Sequence, residues 1–250
     1  MKADAHFWQA RYRQQVGWSA AARRYLFKQV GLPADACILE CGCAGGALLD
    51  ALRSDDFLDL TGLDLDFESL SLASPNHKRL CADGMRLPFP PAAFEICLCH
   101  YYLLWVADPV QALREMRRVA RPGGWVMALS EPNYAARLDA PPELRPLGWL
   151  QARALAQQGA DTAIGARLAG LFAAAGLEDV VTGVLERPAC SSLIFDECAW
   201  QLEWDVLRTD LAGRLSPAEL ARYQALDRAA RAAGTRELYL PVHYACGRVS

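Results

Sequence analysis

The run Ile38-Leu39-Glu40-Cys41-Gly42-Cys43-Ala44-Gly45-Gly46 joins an apolar stretch, a carboxylate near its end and a turn of small residues. Glycines let a backbone turn sharply and let a ligand lie against it. The helix start at Ala47 adds free N–H groups. The chemistry this offers is the cradling of a ligand. About twenty residues on, Asp64 closes a second apolar stretch, a spacing at which a carboxylate accepts both hydroxyls of a ribose. NAD and adenosyl ligands fit that equally, an Asp after a strand can also simply cap a helix, and Asp66 is the second carboxylate nearby. The G-x-G-x-x-G spacing of a dinucleotide site is missing. His100 follows the apolar run Phe94–Cys99 and suits a general base toward a hydroxyl or amine, or a packed histidine at a strand end. Glu131, in Ser130-Glu131-Pro132-Asn133-Tyr134, suits binding or deprotonating an acceptor, or a structural role.

The elements that must position these residues alternate. Strands are expected at 36–41, 58–64, 78–81, 94–99 and 125–130, with helices from Ala47 and Phe67 between them. Asp108-Pro109 opens a further helix with Val110, Leu113, Met116 and Val119 on its stripe, ended by Pro122-Gly123-Gly124. Alternating strands and helices predict a doubly wound, Rossmann-like α/β sheet, mostly parallel and covered on both faces. Further helices are expected at 147–158 and from Ile164 to Gly176, and a strand at 180–185. Residues 190–234 read as two helices. The first has apolar stripes on two sides, Trp200, Trp204, Leu207 and Leu211 against Phe195, Ala199, Leu202 and Val206, which suits a cap over a pocket. The second opens on the capping-box spacing Ser216-Pro217-Ala218-Glu219. A final strand falls at 239–249, regular only after Pro241, since an interior strand needs that backbone donor. The first 30 residues read as two helical stretches with six Lys+Arg against one Asp, either a solvated face or a surface for an anionic ligand.

Two more stretches, Cys81-Ala82-Asp83-Gly84-Met85 through Pro88-Phe89 and Leu113-x-Glu115-x-x-Arg118-Val119-x-x-Pro122-Gly123-Gly124, complete a joint pattern with the glycine turn. Over residues 35–132 it resembles the class I S-adenosylmethionine-dependent methyltransferases, in the branch that includes the ubiquinone/menaquinone-biosynthesis type. The resemblance implies a seven-stranded sheet with its last strand antiparallel, and S-adenosyl-L-methionine as cofactor. It implies that Glu40, Gly42 and Gly46 line the methionine and ribose side, that Asp64 holds the ribose hydroxyls, and that Asp83, Gly84 and Met85 contact the adenine. The family usually has Gly where this chain has Ala44 and a small polar residue at Gly45, so Gly45 is expected to absorb the strain of the turn.

The division this implies is N-terminal helices at 1–34, a cofactor-binding core at 35–132 and 163–187, insertions at 133–162 and 188–235, and a final strand at 236–250, all in one domain. The insertions should bind the methyl acceptor, with Tyr101, Tyr134, Trp200 and Trp204 as candidates and Tyr102 beside them. A small-molecule acceptor methylated on O, N or C is the leading reading. The alternatives are a methyltransferase for RNA or protein, and a non-catalytic adenosyl-ligand binder acting as a regulatory partner. An NAD-dependent oxidoreductase is disfavoured by the missing glycine spacing.

Composition agrees. The 250 residues are 53% hydrophobic and 22% charged, which excludes wholesale disorder. A chain of this size buries roughly 70–75% of its unfolded surface without staples. A net charge of −3 argues against a nucleic-acid coat. No apolar run reaches the ~18–20 residues of a membrane span. The first residues carry no apolar leader, and nine cysteines is an odd count for a disulfide framework, so a cytoplasmic protein is expected. Cys41-x-Cys43 and Cys97-x-Cys99 end neighbouring strands. Each pair is expected to be split between sheet faces, which leaves these thiols as core fillers and assigns no metal.

Overall fold

The computed structural model describes residues 5–185 and 196–250. Its strands are β1 (Ile38–Cys41), β2 (Leu60–Asp64), β3 (Lys78–Cys81), β4 (Phe94–Cys99), β5 (Ala120–Pro132), β6 (Leu138–Ala140), β7 (Glu178–Val184), β8 (Glu237–Tyr239) and β9 (Val242–Arg248). Its helices of five residues or more are α1 (Ala5–Gln29), α2 (Ala47–Ser54), α3 (Phe67–Ser71), α4 (Pro109–Val119), α5 (Arg145–Gln157), α6 (Ile164–Ala174), α7 (Glu197–Asp210) and α8 (Pro217–Ala232).

Seven strands form one sheet in the order β3-β2-β1-β4-β5-β9-β7. β9 runs antiparallel to both of its neighbours, and the other pairs are parallel. The order reverses between β1 and β4, and the crevice at the carboxyl ends of strands beside such a reversal is where open α/β sheets bind ligands. Strands covered on both sides have no polar face to spare, and every residue of β1 is buried. On one face Leu39, Cys97 and Val126 pack with Leu113 of α4 and Phe172 of α6. On the other, Ile38, Ile96 and Met127 pack with Leu26 of α1 and Leu48 and Leu49 of α2. Burying one such side chain stabilises by about 1.5–3 kcal/mol.

Local signals set the helix ends. Asp108 Oδ1 accepts from Gln111 N at 2.9 Å with Pro109 in the first turn, and Ser216 with Glu219 forms the full capping box of α8. Caps of this kind contribute about 1 kcal/mol.

The structure departs from the sequence reading in four places. The first 30 residues hold one 25-residue helix rather than two stretches. β5 begins at Ala120, directly after α4, because Gly123 and Gly124 exchange backbone bonds with Val249 (2.8 and 2.9 Å) and extend the pairing of β5 with the last strand. Tyr239 belongs to β8, which pairs with β6 in a separate two-stranded ribbon, and β9 starts just past Pro241. Cys97 and Cys99, two apart on β4, share a face, as period-two geometry requires, while Cys41 and Cys43 are split. Phe195 and the start of the 188–235 insertion lie outside the described residues. Among the described residues no helix is long and apolar enough to cross a membrane.

Candidate active site

The turn after β1 is welded to β2. Gly42 N and Cys43 N both donate to Leu63 O, at 2.8 and 3.0 Å. Gly42 takes φ +75°, and a Cβ there would overlap the Tyr102 ring. Ala44 also adopts a left-handed conformation, φ 43°, and its N–H donates to Asp64 Oδ2 at 2.8 Å. Ala44 therefore bears the strain itself, and Gly45 does not absorb it. Gly45 is bare for another reason: Gln9 of α1 lies against it and donates to its carbonyl at 3.0 Å. Gly46 opens α2 at φ +75° and packs beside Ala73; it shapes the turn but does not line the cavity.

Above this turn is a cavity of about 650 Å³, large enough for a nucleoside and a second small molecule. The carboxyl edge of the sheet contributes Glu40, Gly42, Asp64, Asp83, Gly84, Met85, His100, Tyr101 and Tyr102. Tyr134 joins from beyond β5, and Val206, Thr209 and Asp210 from α7. α1 roofs the cavity with Trp8, Arg11, Tyr12, Gln15 and Val16.

The acidic residues keep hydrogen-bonding capacity for a ligand. Asp64 uses Oδ2 on Ala44 N and Oδ1 on Asp66 N (2.9 Å). An ionised carboxylate has about four acceptor sites, so enough remain for a diol. Asp83 Oδ1 accepts from Met85 N at 2.9 Å, leaving Oδ2. Glu40 is buried and its Oε2 has no partner. Burial raises its carboxyl well above the usual range, Asp64 adds to this, and Arg23 opposes it. A bare glycine turn, free carboxylate oxygens and an unpartnered buried carboxylate fit an adenosyl group with a cationic end.

His100 lines the cavity and is half-buried, with Nε2 3.2 Å from Ser19 Oγ of α1. Burial, with Arg23 adding to it, lowers its imidazole to about 3, so the ring is neutral near pH 7. Glu131 is elsewhere. It is fully buried; Oε1 accepts from Tyr102 N (3.0 Å) and Leu103 N (2.9 Å), and Oε2 from Leu104 N (3.3 Å). It accepts from the backbone of the 3-10 turn Leu103–Trp105 and is not among the residues that line the cavity. Burial pushes it up to about 7 against the pull of those three donors.

Trp200 and Trp204 also lie away from this cavity. They pack in the separate core of the cap with Leu147 and Leu207, and both indoles donate to Asp227 Oδ2, at 2.5 and 3.2 Å. A buried indole N–H needs an acceptor, and Asp227, itself held by Arg231 and Arg236, supplies it. Trp204 reaches only a small side cavity. The α7 residues at the main cavity are Val206, Thr209 and Asp210, one helix face over from the tryptophans.

The α1 roof escapes the sequence reading. Its stripe of Trp8, Arg11, Tyr12 and Gln15 has helical spacing, but nothing in sequence says what it covers. Four carboxylates and one guanidinium line the cavity, and Arg11 is engaged by Gln14 (2.6 Å) and stacks on Trp18. The field favours a cationic ligand part beside a neutral, flat partner.

Residues 39–128 match the family model described as a methyltransferase domain. The demethylmenaquinone methyltransferase of Lysinibacillus sphaericus is 28% identical over 125 residues, 47% of this chain and 52% of that protein. The ubiquinone/menaquinone biosynthesis C-methyltransferase UbiE of Bdellovibrio bacteriovorus is 33% identical over 115 residues, 43% and 49% respectively. The chain thus spans about half the length of these curated relatives. Across 93% of this chain and 85% of the other, the fold is similar to that of a geranyl diphosphate methyltransferase solved with SAM, at TM-score 0.57 and 12% identity.

Proposed function

We propose that this chain, whose residues 39–128 match a methyltransferase domain, uses S-adenosyl-L-methionine to methylate a small, neutral acceptor. The observation that carries this is the cavity itself: free carboxylate oxygens from three strand ends converge on one side, and an aromatic, cap-lined wall stands on the other. Asp64 would hold the ribose hydroxyls, Asp83 with Gly84 and Met85 the adenine, and Glu40 the cationic methionine end. When bound, the cofactor supplies a methyl group on a positively charged sulfur. The chain's own task is placement. Tyr101, Tyr134, Val206 and the α1 roof hold the acceptor in line and exclude water, and positioning of this kind supplies ~7–11 kcal/mol of a barrier. The acidic lining disfavours carboxylate acceptors and nucleic acid. The eight described cysteines are all unpaired, which suits the reducing cytoplasm.

The test is calorimetry with S-adenosyl-L-homocysteine and NAD, followed by labelled-methyl transfer into the small-molecule fraction of a cell extract. Homocysteine-ligand binding and label in that fraction are expected. Binding of NAD alone, or label only in protein or RNA, would overturn the reading.

A further inference from the structure

Ser19 is fully buried on the inner face of α1, and its hydroxyl oxygen has two neighbours. It stands 3.1 Å from Val16 O, the back-bond a helical serine commonly makes to a carbonyl one turn earlier. It stands 3.2 Å from His100 Nε2. A hydroxyl has one proton. Once that proton goes to the carbonyl, which cannot donate, the ring nitrogen must donate to Ser19. In that arrangement His100 carries its hydrogen on Nε2 and a lone pair on Nδ1. Among the described residues Nδ1 has no hydrogen-bond partner, it is not among the sealed, unpartnered polar atoms, and its ring lines the cavity. One turn before Ser19, on the same face of α1, Gln15 also lines the cavity. It is only 7% exposed, and its amide has no partner among the described residues.

Resting on the methyltransferase reading of this cavity, we propose that the Nδ1 lone pair of His100 and the amide of Gln15 together bind the hydroxyl or N–H group of the acceptor, and that Ser19 is the positioning residue that fixes the His100 tautomer. A lone pair at Nδ1 accepts the acceptor's hydrogen, and the amide N–H of Gln15 donates to the same oxygen or nitrogen. The pair thus selects a protic acceptor over its methylated product, which lacks that hydrogen.

Two measurements on the full-length chain test this. Long-range proton–nitrogen NMR of histidine-labelled protein, with His100 identified by His100→Gln, should show a neutral ring protonated at Nε2. Ser19→Ala should convert it to a mixture of tautomers. Protonation at Nδ1 in the unaltered protein would overturn the proposal, whether or not Ser19→Ala folds. This arm needs no cofactor. The second compares phenol with anisole, its methyl ether, by calorimetry in saturating S-adenosyl-L-homocysteine. One extra hydrogen bond, given to His100 Nδ1, predicts phenol binding about fivefold tighter than anisole, with the preference largely lost in His100→Phe, whereas Gln15→Leu should weaken both ligands alike because both oxygens accept from the amide. Equal binding of the two by the unaltered protein, an undiminished preference in His100→Phe, or unchanged binding of both in Gln15→Leu would overturn it. Failure of S-adenosyl-L-homocysteine to bind would instead overturn the cofactor reading and leave the tautomer result standing.

Discussion

Neutral His100 makes the fold acid-sensitive in a defined window. Burial, reinforced by Arg23, lowers its imidazole from 6.5 to about 3. In the unfolded chain the ring takes a proton near pH 6.5. Between those two values the unfolded state binds more protons than the folded one, so stability falls as pH falls. Integrating the two titrations from pH 7 to pH 5 gives a loss of about 2 kcal/mol, and the ring's partial opening to the cavity reduces this to about 1–2 kcal/mol. His100→Gln keeps a polar side chain and removes the titration. Urea unfolding of both proteins at pH 7 and pH 5 isolates the contribution, because every other group is common to the pair. The unaltered protein should lose about 1–2 kcal/mol more than the variant over that interval. Equal losses would mean that the folded ring titrates normally, and the burial argument would fall.

Other outcomes follow from the same contacts. Asp64→Asn should weaken S-adenosyl-L-homocysteine binding about tenfold or more and also lower the melting temperature, since Asp64 holds both Ala44 N and Asp66 N; Asp83→Ala should weaken binding with less effect on melting. Unchanged affinity in both would move the nucleoside site elsewhere. Ala44→Gly relieves about 1 kcal/mol of left-handed strain against a similar entropy cost, so unfolding should shift by less than about 1 kcal/mol with no loss of ligand affinity; a larger destabilisation would contradict the φ of 43° at this residue. Glu131→Gln turns an amide toward three backbone donors and should destabilise by about 1–3 kcal/mol, whereas a variant that stays as stable but loses all methyl transfer would restore Glu131 as a base. Asp227→Leu strands two buried indoles and two arginines and should cost about 3–5 kcal/mol, visible as a lower urea midpoint. A midpoint unchanged from the unaltered protein would show that the cap is held by other contacts.

What could be read in advance was what short-range chemistry fixes. The turn at 42–46, Asp64 after β2, Asp83 after β3 and the capped start of α4 are local patterns, and the structure brings Glu40, Gly42, Asp64, Asp83, Gly84 and Met85 to one cavity. What stayed hidden depends on long-range partners. Glu131 reads as a site residue because its three backbone donors lie on a turn nearly thirty positions earlier, invisible from its own neighbourhood. Trp200 and Trp204 read as pocket aromatics because a stripe does not show which core receives it, and Asp227 decides that. Cys97 and Cys99 differ from these cases, since two-residue strand periodicity alone puts both on one face. The ribbon of β6 and β8 has strands of three residues each, too short for a periodic signal.

The cavity's walls come from distant parts of the polypeptide: Trp8 to Val16 early, the glycine turn and Asp83 in the first half, Val206 to Asp210 late. During synthesis the first five strands emerge long before α7 and before β9, the strand that lies between β5 and β7. A growing chain can therefore form its nucleoside ledge while the chamber for the second molecule has no far wall. Under the proposed function, ribosome-bound intermediates would have the donor side without the acceptor side until α7 has emerged.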